Sequence, residues 1–144
     1  MSTSANRKKE DVGLPVGSLL PSQKVKAYTG ELYQLDILDK PQIMVFISMY
    51  CSFCIDLLPH LSQIQQKHRD YQLMLFSTGD DDDHRDMIDY FKWDFPVFHM
   101  DQSEMENWFD ITQMPFILVT HRNKVICKGV AYDVVGASQL ILNV

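Results

Sequence analysis

Long apolar runs, long basic runs and spare cysteines are all missing from this chain. No stretch of about 18 apolar residues occurs, so no transmembrane helix is encoded. The net charge is −6 and basic residues never gather into a long run, which argues against nucleic acid as a partner. Residues 1–12, MSTSANRKKEDV, lack the apolar core of a signal peptide. Three cysteines are too few for a disulfide-stapled secreted scaffold. Neither an internal repeat nor a low-complexity linker interrupts the 144 residues. One domain is therefore expected over 13–144, behind a flexible polar tail at 1–12. As it stands the chain reads as a cytoplasmic monomer. An anchor preceding residue 1 would instead make it a membrane-anchored extracytoplasmic domain.

What is present is a core and a motif. Apolar residues make up 46% of the chain, enough to bury a proper interior. The motif is Cys51-Ser52-Phe53-Cys54. The run Ile43-Met44-Val45-Phe46-Ile47-Ser48 before it reads as a buried strand, and Cys54 to about His68 reads as an amphipathic helix. A CxxC at such a junction puts the first sulfur at a helix N-terminus, where unpaired N–H groups and the helix dipole stabilise a thiolate. Ser52 and Phe53 add no charge between the two thiols. The second sulfur lies one turn on, within disulfide reach. That is the geometry of a thiol–disulfide exchange centre.

The remaining elements follow from periodicity. Lys24–Tyr28 and Leu32–Leu35 flank Thr29-Gly30-Glu31 as a hairpin. Ile55, Leu58, Leu61 and Ile64 make one apolar helix face, and Pro59 within it predicts a kink. Gln72–Phe76 is a second core strand, Asp83–Lys92 a helix, Phe95–Phe98 a short strand and Glu104–Phe109 a short helix. Phe116–Thr120 and Lys124–Cys127 form a hairpin over His121-Arg122-Asn123, and Val134, Ala137, Ser138 and Ile141 mark a last helix. The order β-β-β-α-β-α-β-α-β-β-α indicates an α/β fold with a mixed central sheet.

Several features have plain structural readings. Asp80 to Asp83 suit a helix N-terminus, and the run lacks the glycine and closing glutamate of a calcium loop. Cys127, on a predicted strand, reads as a small core hydrophobe, with a regulatory or resolving role as the rival. Trp93, Trp108 and most of the eight methionines read as core fillers. Asp56 is placed on the helix surface. His60, His68, His84, His99 and His121 are scattered over element ends and turns, as solvated or structural side chains.

The chain resembles the thioredoxin superfamily at three separated points: the CxxC at 51–54, Pro59 five residues beyond it, and Met114-Pro115 before a hydrophobic strand. Gly129 is a weaker match. Within the superfamily it is similar to the TlpA/ResA/MauD group, through Gly13-Leu14-Pro15-Val16-Gly17-Ser18 with Leu20-Pro21, and through Val45–Ser48 leading into Cys51, Cys54 and Leu57-Leu58-Pro59. The resemblance covers about residues 13–142. It implies a thioredoxin-like fold with an N-terminal hairpin, and a cis Pro115 beside the active-site sulfurs. It further implies that the backbone of Met114 pairs with the substrate chain and that Pro115 keeps metal ions off the dithiol. The chain also departs from the pattern. Tyr50 stands where thioredoxin has tryptophan, Ser52-Phe53 where it has Gly-Pro, and Val45 where it has a buried aspartate. Leu57 replaces the glutamate of the TlpA/ResA group. Neither carboxylate thought to relay protons to the resolving thiol is in place.

The resemblance implies a thiol–disulfide oxidoreductase in which Cys51 attacks and Cys54 resolves, with no cofactor beyond the Cys51–Cys54 disulfide itself. Tyr50, Ser52, Phe53, Met114, Pro115 and Phe116 are the expected substrate-binding residues, with Tyr50, Phe53, Met114 and Phe116 as an apolar docking surface. The partners expected are a protein or peptide client with a disulfide or dithiol, and a second redox protein that recycles the dithiol. A cytoplasmic-looking chain sits among reducing buffers and favours a reductant. Three rivals stand beside this. Cys51 and Cys54 with a histidine such as His60 could hold copper or zinc. Ser48-Met49-Tyr50-Cys51 echoes a peroxiredoxin motif, although Met44 occupies its upstream proline position. A non-catalytic thioredoxin-like scaffold would use neither cysteine.

Overall fold

The computed structural model describes residues 11–142. Seven strands are present: β1 (Lys24–Lys26), β2 (Leu32–Gln34), β3 (Gln42–Ile47), β4 (Gln72–Ser77), β5 (Val97–His99), β6 (Phe116–His121) and β7 (Lys124–Gly129). The helices are α1 (Ser52–Leu57), α2 (Leu61–Lys67), α3 (Asp81–Phe91), α4 (Gln102–Phe109) and α5 (Val134–Leu142). β1 and β2 pair as the expected antiparallel hairpin. The other five form one mixed sheet in the order β5-β4-β3-β6-β7. β3, β4 and β5 run parallel, whereas β6 is antiparallel to β3 and β7 antiparallel to β6.

Strand alternation sorts the core into two layers. Ile43, Val45, Ile47, Leu73, Leu75, Val97, Ile117 and Val119 face one side with Leu57, Leu61, Ile64, Met87, Ala137 and Ile141 of the helices. Met44, Phe46, Met74, Phe76, Phe98, Phe116 and Leu118 face the other, against Met105 and Phe109 of α4. Register places Phe46 opposite Phe76, and Phe76 opposite Phe98. Their rings stack at 4.9 Å across all three strands. Because β3 and β4 are covered on both faces, they read in sequence as nearly unbroken apolar runs.

The N-terminal segment closes both sheet edges. Leu19 bridges to Lys124 on β7, and Ala27 bridges to Phe98 on β5. Neither edge is left wholly open to another chain. The polar tail expected over 1–12 falls almost wholly on residues that are not described. Residues 1–10 lie outside the described residues, as do 143–144, but Asp11 and Val12 are already docked. Asp11 meets Lys128 Nζ at 2.6 Å, and Val12 is buried in the second layer.

The boundaries moved for identifiable reasons. Pro59 does not merely bend one helix: a 3-10 turn at Leu58–His60 separates α1 from α2. A proline supplies no N–H to the helical ladder and crowds the preceding turn. α3 starts two residues earlier than expected, because Asp80 caps it. Asp80 accepts the Asp83 N–H at 2.9 Å while Asp83 accepts the Asp80 N–H at 3.0 Å, a reciprocal capping box. Asp101 and Glu104 do the same for α4. The aspartate run is thus a helix start, with Asp81, Asp82 and Asp83 in its first turn.

Candidate active site

Parallel β3, β4 and β5 end on a common edge of the sheet, and the loops leaving them are tied together there. The Met49 N–H donates to Thr78 Oγ1 at 3.0 Å, His99 Nδ1 bonds the Gly79 carbonyl at 2.7 Å, and the Met100 N–H reaches the Ser77 carbonyl at 2.9 Å. Cys51 lies on this edge, at the N-cap of α1 with extended backbone. Its sulfur accepts the Cys54 N–H at 3.2 Å. Capping by sulfur satisfies one of the orphan donors of the helix start and holds the side chain at the surface.

The two thiols sit in different surroundings. Cys51 is half-buried and Cys54 fully buried, and both are free. The Ser48 N–H points at Cys54 Sγ from 3.5 Å. Burial pushes the Cys54 thiol up to about 12, hydrogen bonding with Cys51 adds to the rise, and the Ser48 N–H opposes it. Val45 and Leu57, at the positions where relatives of the resembled families carry carboxylates, are both fully buried in the same layer as Cys54. Apolar side chains therefore take the place of a proton acceptor beside the deeper thiol.

The turn before β6 completes the centre. The Met114–Pro115 peptide bond is cis. Across 63 residues of sequence, Cys51 Sγ lies 3.5 Å from the Met114 carbonyl. The expected docking residues divide. Tyr50 is 97% exposed and Phe53 60%, Ser52 is exposed and Met114 half-buried. Pro115 and Phe116 are buried, Phe116 to 4%. Phe116 cannot contribute docking surface: alternation along β6 turns it into the second layer, where a Cβ on Gly13 would stand only 2.7 Å from its ring. The apolar surface around the motif is instead extended by Tyr132. That residue is 53% exposed, and its ring lies 5.4 Å from that of Phe53. Nothing local marks Tyr132; an aromatic in the loop before the last helix was the available signal.

The rival site residues do not converge. Among the described residues no three His, Cys, Asp or Glu side chains are grouped to hold a metal ion. The Ser48 hydroxyl is buried and accepts the Tyr50 N–H at 3.2 Å. Cys127 is a free, half-buried thiol on β7 that packs against the first layer. Asp56 is exposed, as expected.

His84, for which the sequence left a solvated or a structural role open, is buried. It is 1% exposed, and its Nε2 has no partner among the described residues. Burial holds its pKa below the ordinary value, and the nearby His99 adds to this against the pull of Asp83, Asp81 and Asp80. The unfolded chain takes up that proton near pH ~6.5, and folded His84 takes it up only at lower pH. Below that pH the unfolded state binds more protons, so stability falls as pH drops, while above it the group contributes nothing. The melting temperature is expected to fall by a few degrees between pH 7 and pH 5. His84→Gln should flatten part of that fall, the rest belonging to His68, which burial and then Lys67 lower in the same direction. An unchanged pH profile in His84→Gln would refute this.

No family model matches the chain, and no curated protein matches it in sequence. Solved structures do match. The thioredoxin domain of a thiol-disulfide oxidoreductase from Bacteroides vulgatus superposes with a TM-score of 0.71 at 20% identity, over 90% of this chain and 99% of that one. A secreted Mycobacterium tuberculosis disulfide oxidoreductase homologous to E. coli DsbE gives 0.72 at 12% identity, over 85% and 96%. A thiol:disulfide interchange protein of the thioredoxin family from Chlorobium tepidum gives 0.71 at 16% identity, over 90% and 97%. The chain has a thioredoxin-like fold. Within that thioredoxin-like frame, the CxxC lies at the C-terminal edge of the parallel strands, where α/β sheets commonly carry their sites.

Proposed function

We propose that this protein is a thiol–disulfide oxidoreductase acting on a protein or peptide client. One observation carries this reading: the half-exposed Cys51 sulfur is held between the Cys54 N–H and the Met114 carbonyl, with the second thiol buried one helical turn behind it. Cys51, as thiolate, attacks one sulfur of the client disulfide. The client's other sulfur leaves as a thiolate and takes a proton, and a mixed disulfide remains. Cys54 then gives up its proton and attacks Cys51 Sγ. The second client sulfur departs, and two electrons have passed from the Cys51/Cys54 dithiol to the client. A dithiol protein restores the reduced state; the reverse cycle oxidises a client. Tyr50, Ser52, Phe53 and Met114 form the docking surface, with the buried Pro115 following Met114 in the chain. No bound cofactor takes part. No helix of the described residues is long and apolar enough to cross a membrane.

The test is equilibration in thiol buffers of known potential, read by mass. A single intramolecular Cys51–Cys54 disulfide is expected, with Cys127 remaining a thiol. A midpoint near about −250 mV or lower makes the protein a reductant, and one near about −150 mV an oxidant or isomerase. Failure of the pair to form a disulfide at any potential would overturn the proposal.

A further inference from the structure

Charge is distributed unevenly around the exchange centre. Residues 80–110 hold eleven carboxylates and two basic residues, a net of −9. The rest of the chain holds eight carboxylates and eleven basic residues, a net of +3. The acidic stretch comprises α3, β5, α4 and the loops that enter both helices from the ends of β4 and β5; Asp80 to Asp83, Asp101 and Glu104 start those helices on the sheet edge that carries Cys51, whereas Asp94 lies at the opposite edge beside Lys40 and Gln72. Between Lys92 and Arg122 there is no lysine or arginine at all.

Several of these carboxylates are occupied as caps: Asp80, Asp83, Asp101 and Glu104 each bond helix-start N–H groups. Glu106 is not among them. It is exposed on α4 and makes no ion pair among the described residues. It lines a groove of about 310 Å³ together with Gln102, Ser103, Ile111, Thr112 and Met114. Met114 joins this groove to the reacting sulfur, because its carbonyl is the group 3.5 Å from Cys51 Sγ. A client segment with its sulfur at Cys51 therefore continues over the half-buried Met114 into a mainly polar groove that holds one carboxylate. An aliphatic stem ending in a cation fits that combination, the stem lying on Met114 and the head beside Glu106.

We infer, resting on the exchange reading above, that the preferred client presents its cysteine next to a lysine or arginine. Glu106 binds that cation directly, and the wider acidic flank steers basic segments to the site. The surface thus selects among disulfide substrates by charge.

Two disulfide-linked peptides, identical except for lysine or glutamate beside each cysteine, test this in single-turnover reaction with the reduced protein. The lysine peptide is expected to react at least about tenfold faster at low ionic strength. The ratio should fall towards one in about 1 M salt, where the screening length shrinks to about 3 Å. Glu106→Gln should shrink the ratio, and Glu106→Lys should shrink it further. Equal rates at low salt, or a faster glutamate peptide, would overturn the inference while leaving the exchange chemistry standing. A ratio untouched by Glu106→Lys would remove the assignment to this groove. No reaction with either peptide or with a small uncharged disulfide would defeat the exchange reading itself.

Discussion

Cys51→Ser is expected to reduce disulfide turnover to background. A serine hydroxyl is scarcely ionised at neutral pH and forms no disulfide, so neither the attack nor the mixed disulfide exists in the variant. Removing the nucleophile of a covalent mechanism costs at least about a thousandfold in other enzymes, and the same is expected here. The fold should be little disturbed. Serine is a favoured N-cap, so its oxygen can take over the Cys54 N–H that the Cys51 sulfur now accepts. Reduction of a protein disulfide, followed alongside a thermal melt of the same sample, separates lost chemistry from lost structure. Full activity in a folded Cys51→Ser protein would end the proposed mechanism and return the non-catalytic scaffold.

Cys54→Ser is expected to do the opposite to the intermediate: it accumulates. The first attack needs only Cys51, so client and protein become linked, and nothing remains to displace the client. The substitution is close to isosteric, and the Ser48 N–H that points at Cys54 Sγ would find an oxygen there. Non-reducing electrophoresis or intact mass should show a persistent adduct in the variant and none in the wild type. The wild-type resolving step should also be strongly pH-dependent. With the Cys54 thiol pushed up to about 12 by burial, with Val45 and Leu57 around it instead of carboxylates, its thiolate is scarce at neutral pH. Thiolate supply then rises about tenfold per pH unit, and a resolution rate limited by it follows that slope from about pH 6 to 9. A Cys54→Ser protein that releases client as fast as wild type would show that Cys54 does not resolve.

Much of this molecule was legible before its structure. The Asp80–Asp83 run announced a helix start, because carboxylates and N–H groups within three residues of each other form a self-contained cap. The kink at Pro59 followed from ring geometry alone, although its outcome, two helices parted by a 3-10 turn, depended on how Leu57, Leu58 and Leu61 all reach the core. Phe116 shows where local reasoning stopped. It follows Pro115 directly, yet its side chain belongs to the layer beneath Gly13, a residue about a hundred positions away. Tyr132 and His84 illustrate the converse. One gains its place from Phe53, the other loses its solvent to neighbours around β5.

The amino-acid sequence by itself determined the two thiols and their spacing, the alternation that makes β3, β4 and β6 two-sided core strands, and the caps that start α3 and α4. All of these arise from groups a few residues apart, whose interactions survive any arrangement of the remaining chain. The tertiary structure alone decided that Cys54 is sealed while Cys51 meets solvent, that the Met114 carbonyl stands 3.5 Å from the reacting sulfur, and that Glu106 walls the groove leading away from it. Desolvation and through-space contact depend on which distant segments pack against a group, and no short window of sequence contains those segments.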